Sequence, residues 1–474
     1  MIEQKNAHAT GDLPVAFLRD IETTIGLSHL KQGDAIANLD YGVTPANFGA
    51  DAVAFPSSTQ EIACIIRSAA AHGVPVVPQG GRTGLVGGGV SSPGQIVVST
   101  TRLNRIVEIY PDERVAVVEA GVTLQALQAA ASEYQLEPGI DLPSRGSATI
   151  GGMVSTNAGG ISAFRYGVMR HRVLGLEVVL PDGSIYSDLT RVVKNAAGYD
   201  LKHLFIGAEG TLGIVTRAAI KLEPVPAATA TALFGLPSVE AALQATKLGL
   251  RIEYGHMRAA EAIWNSFFSL TSGEHLWSAT DYCPDYPVNL IMALGGGDEE
   301  QLQTQLGRIY EELYETYPEM SAVVATSQAQ EAELWRLRED TDLIYRRYPA
   351  APSFDVSVPL SRIEAYVTRC IPELQSIDPT FDPYLFGHIA DGNLHIVLNA
   401  AGADLTPEKA AAVEAVLYRD LTQSGGSFSA EHGIGSKRVH ALRATADPVK
   451  FALMTRIKAA IDAGHTLNPG KVTG

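Results

Sequence analysis

An Asp-Gly pair lies between two apolar runs that each carry a histidine, in Phe386-Gly-His-Ile-Ala-Asp-Gly-Asn-Leu-His395. Asp-Gly flanked by such runs is typical of an antiparallel hairpin. If Asp391 and Gly392 form a two-residue loop, His388 and His395 are directly opposed, with Cβ atoms roughly 4.5–5.5 Å apart on one face of the ribbon. The sequence therefore predicts a hairpin that presents two imidazoles close enough to hold one metal ion.

A third imidazole and a carboxylate follow in Ala430-Glu-His-Gly-Ile-Gly435. Two histidines and one carboxylate form a common ligand set for a divalent metal. The alternative is that these histidines are hydrogen-bonded structural residues, as a single histidine in a strand usually is. The glycine-rich surroundings of Glu431 and His432 favour a cleft over a core. We therefore predict a metal site at His388, His395 and Glu431, with His432 as a base beside it.

The chain has 474 residues, 46% of them hydrophobic, which predicts two or three globular domains. Its formal net charge of −16 and the lack of a Lys/Arg run argue against a nucleic-acid partner. Cys64, Cys283 and Cys370 are widely spaced and odd in number, which favours a reducing cytosol over a disulfide framework. The polar N-terminus and the lack of ~18 consecutive apolar residues predict a cytoplasmic protein, with peripheral membrane contact left open.

Helical and strand patterns alternate along the whole chain. In the first half we predict helices over 62–71 and 123–134, strands over 74–78, 95–99 and 115–119, and a second Asp-Gly hairpin within 174–186. A Pro- and Ala-rich bridge after Pro224 marks a domain boundary. Beyond it we predict strands over 229–236, 288–294, 322–326 and 354–360, and helices over 239–250, 299–314, 331–345 and 447–463. This order predicts an antiparallel sheet covered by helices.

Three glycine-dense segments, 79–89, 147–160 and 207–215, lie in the first half. Glycine lets the backbone approach a phosphate closely, so three such segments predict a large phosphorylated cofactor. The first segment lacks the Lys-Ser/Thr ending of a P-loop and does not match the dinucleotide fingerprint, which disfavours a kinase and a simple NAD enzyme. The alternative is that the glycines serve tight turns alone.

These motifs together resemble a known family. Segments 75–89, 146–160 and 194–214, the histidine hairpin and Glu431-His-Gly-Ile-Gly435 are similar to the FAD-linked oxidases of the vanillyl-alcohol-oxidase type, within them to the D-2-hydroxyacid dehydrogenase group. The resemblance covers nearly the whole chain after residue 50. It implies an α+β fold: a two-subdomain FAD-binding domain of the PCMH type, an antiparallel-sheet α+β cap domain, and a C-terminal helical segment that returns to the flavin.

The resemblance also implies boundaries: an N-terminal helical segment over 1–50, the FAD-binding domain over 51–227, the substrate or cap domain over 228–420, and a C-terminal segment over 421–474. The implied FAD-binding residues are Pro78, Gly80, Gly81, Arg82, Thr83, Gly84, Leu85, Gly87, Gly88, Pro143, Ser147, Thr149, Gly151, Gly152, Asn157, Gly159, Gly160, Glu209, Gly210, Gly213, Ile214 and Asn468. No histidine occurs over 75–90 to attach the flavin, so we expect noncovalent FAD.

The implied reaction is the oxidation of a 2-hydroxy acid to the 2-oxo acid, with hydride transfer to flavin N5. His388, His395 and Glu431 match the family's metal ligands, with zinc as the expected ion, and His432 matches its general base. Arg338 matches the arginine that binds the substrate carboxylate, although spacing alone would make it a solvated helix residue. Asp342 joins Arg338 and His432 as an implied substrate-binding residue.

Two positions depart from the hydroxyglutarate enzymes, which carry a lysine where this chain has Ser353 and an asparagine where it has Val397. Both changes favour a substrate with a smaller or less polar tail, unless Arg346 or Arg347 compensates. The candidates are D-2-hydroxyglutarate, D-lactate, D-malate and glycolate. The electron acceptor, whether electron-transfer flavoprotein, quinone or cytochrome, and a homodimer are left open.

Two other classes remain as alternatives. A metal-dependent hydrolase would use the two histidines and Glu431 to activate water, with the glycine loops holding a substrate phosphate. A flavoprotein with a decayed metal site would act as a binding or assembly subunit. Flavin absorbance distinguishes the hydrolase from an oxidoreductase. Loss of turnover in His432→Ala would exclude the flavoprotein with a decayed metal site.

Overall fold

The computed structural model describes residues 13–280 and 282–474, so the first twelve residues of the predicted N-terminal segment lie outside the described part. The chain divides into two compact units. One comprises residues up to 159, residues 166–225 and residues 431–474, and the other comprises residues 160–165 and 226–430. The sequence placed the corresponding boundaries after residues 227 and 420.

The first unit contains two main sheets. Its strands are β1 Leu30–Gln32, β2 Ala52–Ala54, β3 Val76–Gln79, β4 Ile96–Ser99, β5 Ile106–Tyr110, β6 Val115–Glu119, β7 Leu136–Glu137, β8 Val173–Val179, β9 Ile185–Asp188, β10 Ile214–Lys221 and β11 Glu223–Pro224. One sheet has the order β1-β2-β4-β3, in which β2 and β3 run parallel to β4. The other is antiparallel, with the order β5-β6-β10-β8-β9, and includes the predicted Asp-Gly hairpin between β8 and β9.

The helices of the first unit are α1 Val15–Ile25, α2 Asp34–Ala37, α3 Thr59–His72, α4 Leu124–Ser132, α5 Ile150–Thr156, α7 Met169–Arg172 and α8 Lys202–Phe205, whereas α6 Ala163–Tyr166 falls mostly in the segment 160–165 of the second unit. At the start of helix α3 the N-cap Ser58 hydroxyl accepts from the Glu61 N–H, and the Glu61 carboxylate accepts from the N–H of Ser57, the residue before the cap. The helix ends at Gly73, whose φ of 66° is left-handed. Its buried face joins Phe17 of α1 in one core.

The second unit is built on an antiparallel sheet, as predicted. Its strands are β12 Ala228–Leu236, β13 His256–Trp264, β14 Val288–Gly296, β15 Ser321–Val324, β16 Ser353–Ser357, β17 Tyr384–His388 and β18 Asn393–Val397, in the order β15-β12-β14-β13-β17-β18-β16. Strand β13 occupies the centre of the sheet, yet the sequence pattern did not predict it. Its segment is buried along nearly all of its length, so the alternation that marks a half-exposed strand is absent.

The helices of the second unit are α9 Val239–Gly249, α10 Asn265–Glu274, α11 Glu299–Tyr314, α12 Gln328–Glu339, α13 Asp342–Arg347, α14 Ile363–Ile377 and α15 Pro407–Tyr418. The single helix predicted over 331–345 is wrong, because the chain breaks between α12 and α13. Asp340 leaves the helical conformation there, with ψ of 61°. Its carboxylate lies 3.0 Å from the His275 ring and 3.5 Å from the Arg346 guanidinium, which provide partners outside the helix.

The C-terminal residues belong to the first unit and contain α16 Val439–Thr445 and α17 Pro448–Ile461. After α17 the chain returns to β3, where the Val76 N–H donates to the Thr466 carbonyl and the Asn468 N–H donates to the Val76 carbonyl. A buried Lys458 ammonium fixes this return by donating to the Leu467 carbonyl at 2.9 Å. Among the described residues no helix is both long and apolar enough to cross a bilayer.

Candidate active site

The glycine-dense segments of the first unit line a partly open cleft. The lining residues are Asn47, Pro78, Gln79, Gly80, Gly81, Arg82, Thr83, Gly84, Val86, Gly88, Gly89, Thr100, Leu142, Ala148, Thr149, Gly151, Gly152, Met153, Ser155, Thr156, Ala158, Glu209, Gly210, Gly213, Ile214, Val215 and His432. Three segments that are distant in sequence therefore meet at one cleft.

Glycine is required where these segments touch. A Cβ at Gly81 would lie 1.8 Å from the Ser147 carbonyl oxygen, and one at Gly80 would lie 2.2 Å from the Thr149 hydroxyl oxygen. A Cβ at Gly151 would lie 2.5 Å from the Ala120 Cβ. A side chain at any of these three glycines would clash, so the main chain at these positions is left uncovered on that side. A phosphorylated cofactor fits a cleft walled by these glycines, because backbone N–H groups can approach its phosphates closely.

Several residues from the predicted FAD set do not line the cleft: Leu85, Gly87, Pro143, Ser147, Asn157, Gly159, Gly160 and Asn468. Asn157 and Asn468 have structural roles instead. Asn157 ends α5 in a left-handed conformation, and its side-chain oxygen accepts from the Arg170 N–H. The Asn468 amide donates to the Gly88 carbonyl at 3.1 Å and to the Glu209 carbonyl at 2.7 Å. Asn468 thereby joins two cleft-lining segments.

Glu209 holds the segment that contains His432. Its carboxylate oxygens accept from the Ile434 N–H at 2.7 Å and from the Gly435 N–H at 2.8 Å. Burial raises the pKa of Glu209, and these two hydrogen bonds oppose that shift. The next residue after His432, Gly433, has a φ of 83°, a conformation that favours glycine. Local backbone geometry therefore places the imidazole of His432 at the cleft.

The histidine hairpin forms in the second unit, but its predicted register is wrong. His388 is opposite Asn393, and His395 is opposite Phe386. The loop comprises residues 389–392, because the Gly392 N–H donates to the His388 carbonyl and closes a turn longer than the predicted one. The two imidazoles are diagonal neighbours on one face, with ring centroids 5.4 Å apart.

A candidate metal centre follows from this arrangement. His388, His395 and Glu431 each offer one ligand atom, and these atoms lie within 4.8 Å of one another. Glu431 follows directly on Ala430, whose N–H donates to the buried Asp355 carboxylate on β16 at 3.0 Å. Two imidazole nitrogens and a carboxylate oxygen suit zinc and other divalent transition metals. The donor set therefore fits the implied metal.

Arg338 is buried in α12, which excludes the solvated-helix alternative. Its Nε lies 2.9 Å from one carboxylate oxygen of Glu261, and its guanidinium lies 4.6 Å from the centre of the Phe386 ring. The other carboxylate oxygen of Glu261 lies 2.6 Å from His388 Nδ1. Asp342 is exposed in the first turn of α13, and its role in substrate binding stays a prediction.

Two features of the site escaped sequence reasoning. Glu261 is a single acid within the apolar run Ala259-Ala-Glu-Ala-Ile-Trp264, and a lone charge in such a run is the signal that could have identified it. Gln79 is the other: its amide donates to the Asn47 carbonyl at 2.6 Å and to the Gly89 carbonyl at 2.7 Å, which anchors the first glycine loop.

Sequence families match both parts of the chain. The FAD binding domain matches residues 50–188, and the C-terminal domain of FAD linked oxidases matches residues 225–472. The chain therefore belongs to the FAD-linked oxidases and is an FAD-dependent oxidoreductase.

Curated relatives narrow the group. A D-2-hydroxyglutarate dehydrogenase of Xanthomonas citri pv. viticola is 38% identical over 89% of this chain and 89% of its own length. A mitochondrial D-2-hydroxyglutarate dehydrogenase of Rattus norvegicus is 33% identical over 88% of this chain and 77% of its own. The predicted membership in the D-2-hydroxyacid dehydrogenase group is confirmed.

Solved structures agree in fold. A substrate-bound p-cresol methylhydroxylase has a TM-score of 0.74 at 18% identity and covers 97% of this chain and 98% of its own. A 4-ethylphenol oxidase from Gulosibacter chungangensis has a TM-score of 0.73 at 21% identity, with 97% of each chain covered. The predicted α+β fold with a PCMH-type FAD-binding domain is confirmed.

Proposed function

We propose that this protein oxidises a D-2-hydroxy acid to the corresponding 2-oxo acid, with noncovalent FAD in the cleft and a divalent metal, expected to be zinc, on His388, His395 and Glu431. The observation that supports it most is the cluster on one sheet face: His388 of the metal site and Arg338 both contact Glu261. Metal ligands next to a buried guanidinium suit a substrate that carries a hydroxyl and a carboxylate.

FAD would supply a hydride acceptor, and the metal would lower the pKa of the substrate hydroxyl. His432 removes the hydroxyl proton as the general base. Its imidazole lines the cleft, and it follows directly on the metal-ligand candidate Glu431. A neutral imidazole has an unprotonated ring nitrogen that can accept this proton.

Arg338 binds the substrate carboxylate. A guanidinium binds a carboxylate with two parallel hydrogen bonds. When the guanidinium is buried, solvent competes less for these bonds. The ring of Phe386 beneath it limits its movement. Asp342 is proposed as a second substrate-binding residue.

The substrate tail is proposed to be small or weakly polar. Ser353 and Val397, the two departures from the hydroxyglutarate enzymes, are directly opposite each other on β16 and β18. Val397 is also opposite Tyr384. Burial raises the pKa of the neighbouring Tyr345, and its hydrogen bond with Ser353 opposes that shift. Neither departing side chain offers a charge to a second carboxylate, which favours the monocarboxylates D-lactate and glycolate over D-malate and D-2-hydroxyglutarate, which each carry a second carboxylate.

The hydrolase alternative has no support, because FAD-linked domains match most of the chain.

A dehydrogenase of this kind needs an acceptor that takes electrons from the reduced flavin. Electron-transfer flavoprotein, a quinone and a cytochrome are the chemical classes to compare.

The test is anaerobic flavin reduction. The purified protein with FAD is mixed separately with D-lactate, D-malate, glycolate and D-2-hydroxyglutarate, with and without chelator. We expect one acid to bleach the flavin absorbance band, and we expect the chelator to abolish bleaching while FAD stays bound. The variant His395→Ala should behave as the chelated protein does.

Bleaching that is unchanged after metal removal would contradict metal assistance. A flavin that none of the four acids reduces would contradict the proposed substrate class. Rapid reduction by D-2-hydroxyglutarate alone would contradict the inference drawn from Ser353 and Val397.

A further inference from the structure

A carboxylate lies at the centre of an otherwise apolar strand. Glu261 on β13 is 1% exposed, and its strand neighbours Ala260 and Ala262 are buried. It is directly opposite His388 of β17. A buried carboxylate without charged partners would be costly, so its partners explain its presence.

The first partner is the metal-ligand candidate His388. Glu261 Oε1 lies 2.6 Å from His388 Nδ1. A carboxylate at this distance places the proton of a neutral imidazole on Nδ1 and leaves Nε2 as the metal-binding nitrogen. It also prevents rotation of the ring and makes Nε2 more basic.

The second partner is Arg338. Glu261 Oε2 lies 2.9 Å from Arg338 Nε, and the Phe386 ring packs 4.6 Å from the guanidinium carbon. The pairing with Glu261 is an ion pair, because Arg338 Nε is not aligned for a hydrogen bond. Together the two contacts limit where the guanidinium can lie, and a fork that binds a carboxylate with two hydrogen bonds depends on its position.

We propose that Glu261 is a positioning residue that orients the metal site and the substrate-binding arginine together. Each of its oxygens holds one of the two groups, so a single side chain sets the position of the carboxylate site relative to the metal. This inference rests on the metal site and the role of Arg338 proposed above. Glu261 itself contacts neither substrate nor flavin in this proposal.

The experiment measures metal binding without substrate. Co²⁺ is titrated into metal-free, FAD-containing protein and followed by its d–d absorbance. We expect Glu261→Gln to weaken Co²⁺ binding by roughly 10–100-fold. We also expect oxalate, at saturating Co²⁺, to bind this variant roughly 10-fold more weakly, because the guanidinium has lost its anchor. Glu119→Gln, which removes a buried carboxylate paired with Arg105 in the first unit, is the matched control and should bind Co²⁺ as the wild type does.

A second variant covers loss of stability. Glu261→Gln leaves the buried Arg338 without its partner, and the double variant with Arg338→Met removes that charge as well. We expect the double variant to unfold at a higher temperature than Glu261→Gln and still to bind Co²⁺ weakly. Wild-type Co²⁺ affinity in either variant would overturn the proposal and reduce Glu261 to a structural ion pair.

These results are independent of the proposed oxidation. Weakened Co²⁺ binding in Glu261→Gln, together with a flavin that no 2-hydroxy acid reduces, would support the role at His388 and contradict the proposed function. Failure of the wild type to bind Co²⁺ would overturn the inference even if an acid reduces the flavin.

Discussion

Adjacent residues 431 and 432 have different surroundings, which suits the two different roles proposed for them. Glu431 belongs with His388 and His395 to the candidate metal site, whereas His432 lines the glycine-walled cleft. The backbone around them is held by Glu209 through two N–H groups and by the left-handed Gly433. Side chains of consecutive residues point in different directions in such a segment, so one short motif can supply both a metal ligand and a base.

His432→Ala should abolish most turnover and leave the cofactors in place. General base catalysis contributes roughly 10²–10⁴-fold, so flavin reduction by the best acid should slow by about that factor. Stopped-flow absorbance measures the rate, and FAD content and Co²⁺ affinity show that the site is intact. The control is His440→Ala, an exposed histidine on α16. A variant that retains the full reduction rate would exclude His432 as the base.

Arg338→Lys should mainly raise the KM for the hydroxy acid. Lysine keeps the charge but lacks the planar fork that binds a carboxylate with two hydrogen bonds. The loss of one charge-assisted hydrogen bond corresponds to about 1.5–3 kcal/mol, or roughly 10–150-fold in KM. Steady-state kinetics with an artificial acceptor measure this change. Arg336→Lys, an exposed arginine on the same helix, should leave KM unchanged. Equal effects in both variants would contradict the assigned role.

The β17–β18 hairpin shows what an error in register changes and what it preserves. The observed pairing is shifted by two residues from the predicted pairing. Side chains alternate between the two faces of a strand, so an even shift leaves each side chain on its predicted face. His388 and His395 therefore share one face although they are not directly opposed. An odd shift would have separated the two imidazoles to opposite faces. The metal-site prediction depended on the face, which the alternation along each strand preserves.

Gly392→Ala should disturb both the hairpin and the metal site. Gly392 has a φ of 80°, and a Cβ there would lie 2.1 Å from the Val358 carbonyl oxygen. We expect a lower unfolding temperature, because the strained backbone costs about 1–3 kcal/mol of stability and the clash adds to that loss. We also expect weaker Co²⁺ binding.

Gly425→Ala, at a glycine outside the hairpin loop, is the matched control for Gly392→Ala. Its φ is 87°, but the nearest atom to a new Cβ is Pro359 Cγ at 3.9 Å. It carries the backbone strain without the clash and should keep wild-type Co²⁺ affinity. Equal losses of metal affinity in the two variants would show that the close contact at Gly392 is unimportant.

Acid stability belongs to the whole molecule, because it adds contributions from many carboxylates. Burial raises the pKa of Glu119, but hydrogen bonds from Arg105 outweigh burial and hold the pKa below its usual value. Burial likewise raises the pKa of Glu223, and its bonds from Lys221 and Arg172 outweigh that shift. A carboxyl whose pKa is lowered by folding stabilises the protein above its unfolded pKa, and this contribution is lost as pH falls through the folded pKa.

We expect the unfolding temperature to change little between neutral pH and about pH 5, and to fall steeply below about pH 4.5. Glu209, whose pKa burial raises, contributes in the opposite direction. Differential scanning calorimetry across this range measures the slope. The variant with Glu119→Gln and Glu223→Gln should be less stable at neutral pH and lose less stability in acid. An unchanged acid slope in that variant would contradict the assignment.

Local patterns were sufficient for the existence of the hairpin, although not for its register, and for the convergence of the glycine-rich segments, because turn chemistry and periodicity act over a few neighbouring residues. The contacts of Glu261 depend instead on β13 pairing with β17, which brings together residues 127 positions apart. The burial of Arg338 likewise follows from α12 packing on that sheet face. Burial and ion pairing arise when distant segments exclude water from the same space. For this reason the chemical types of the site residues could be identified from the chain alone, whereas their partners required the folded protein.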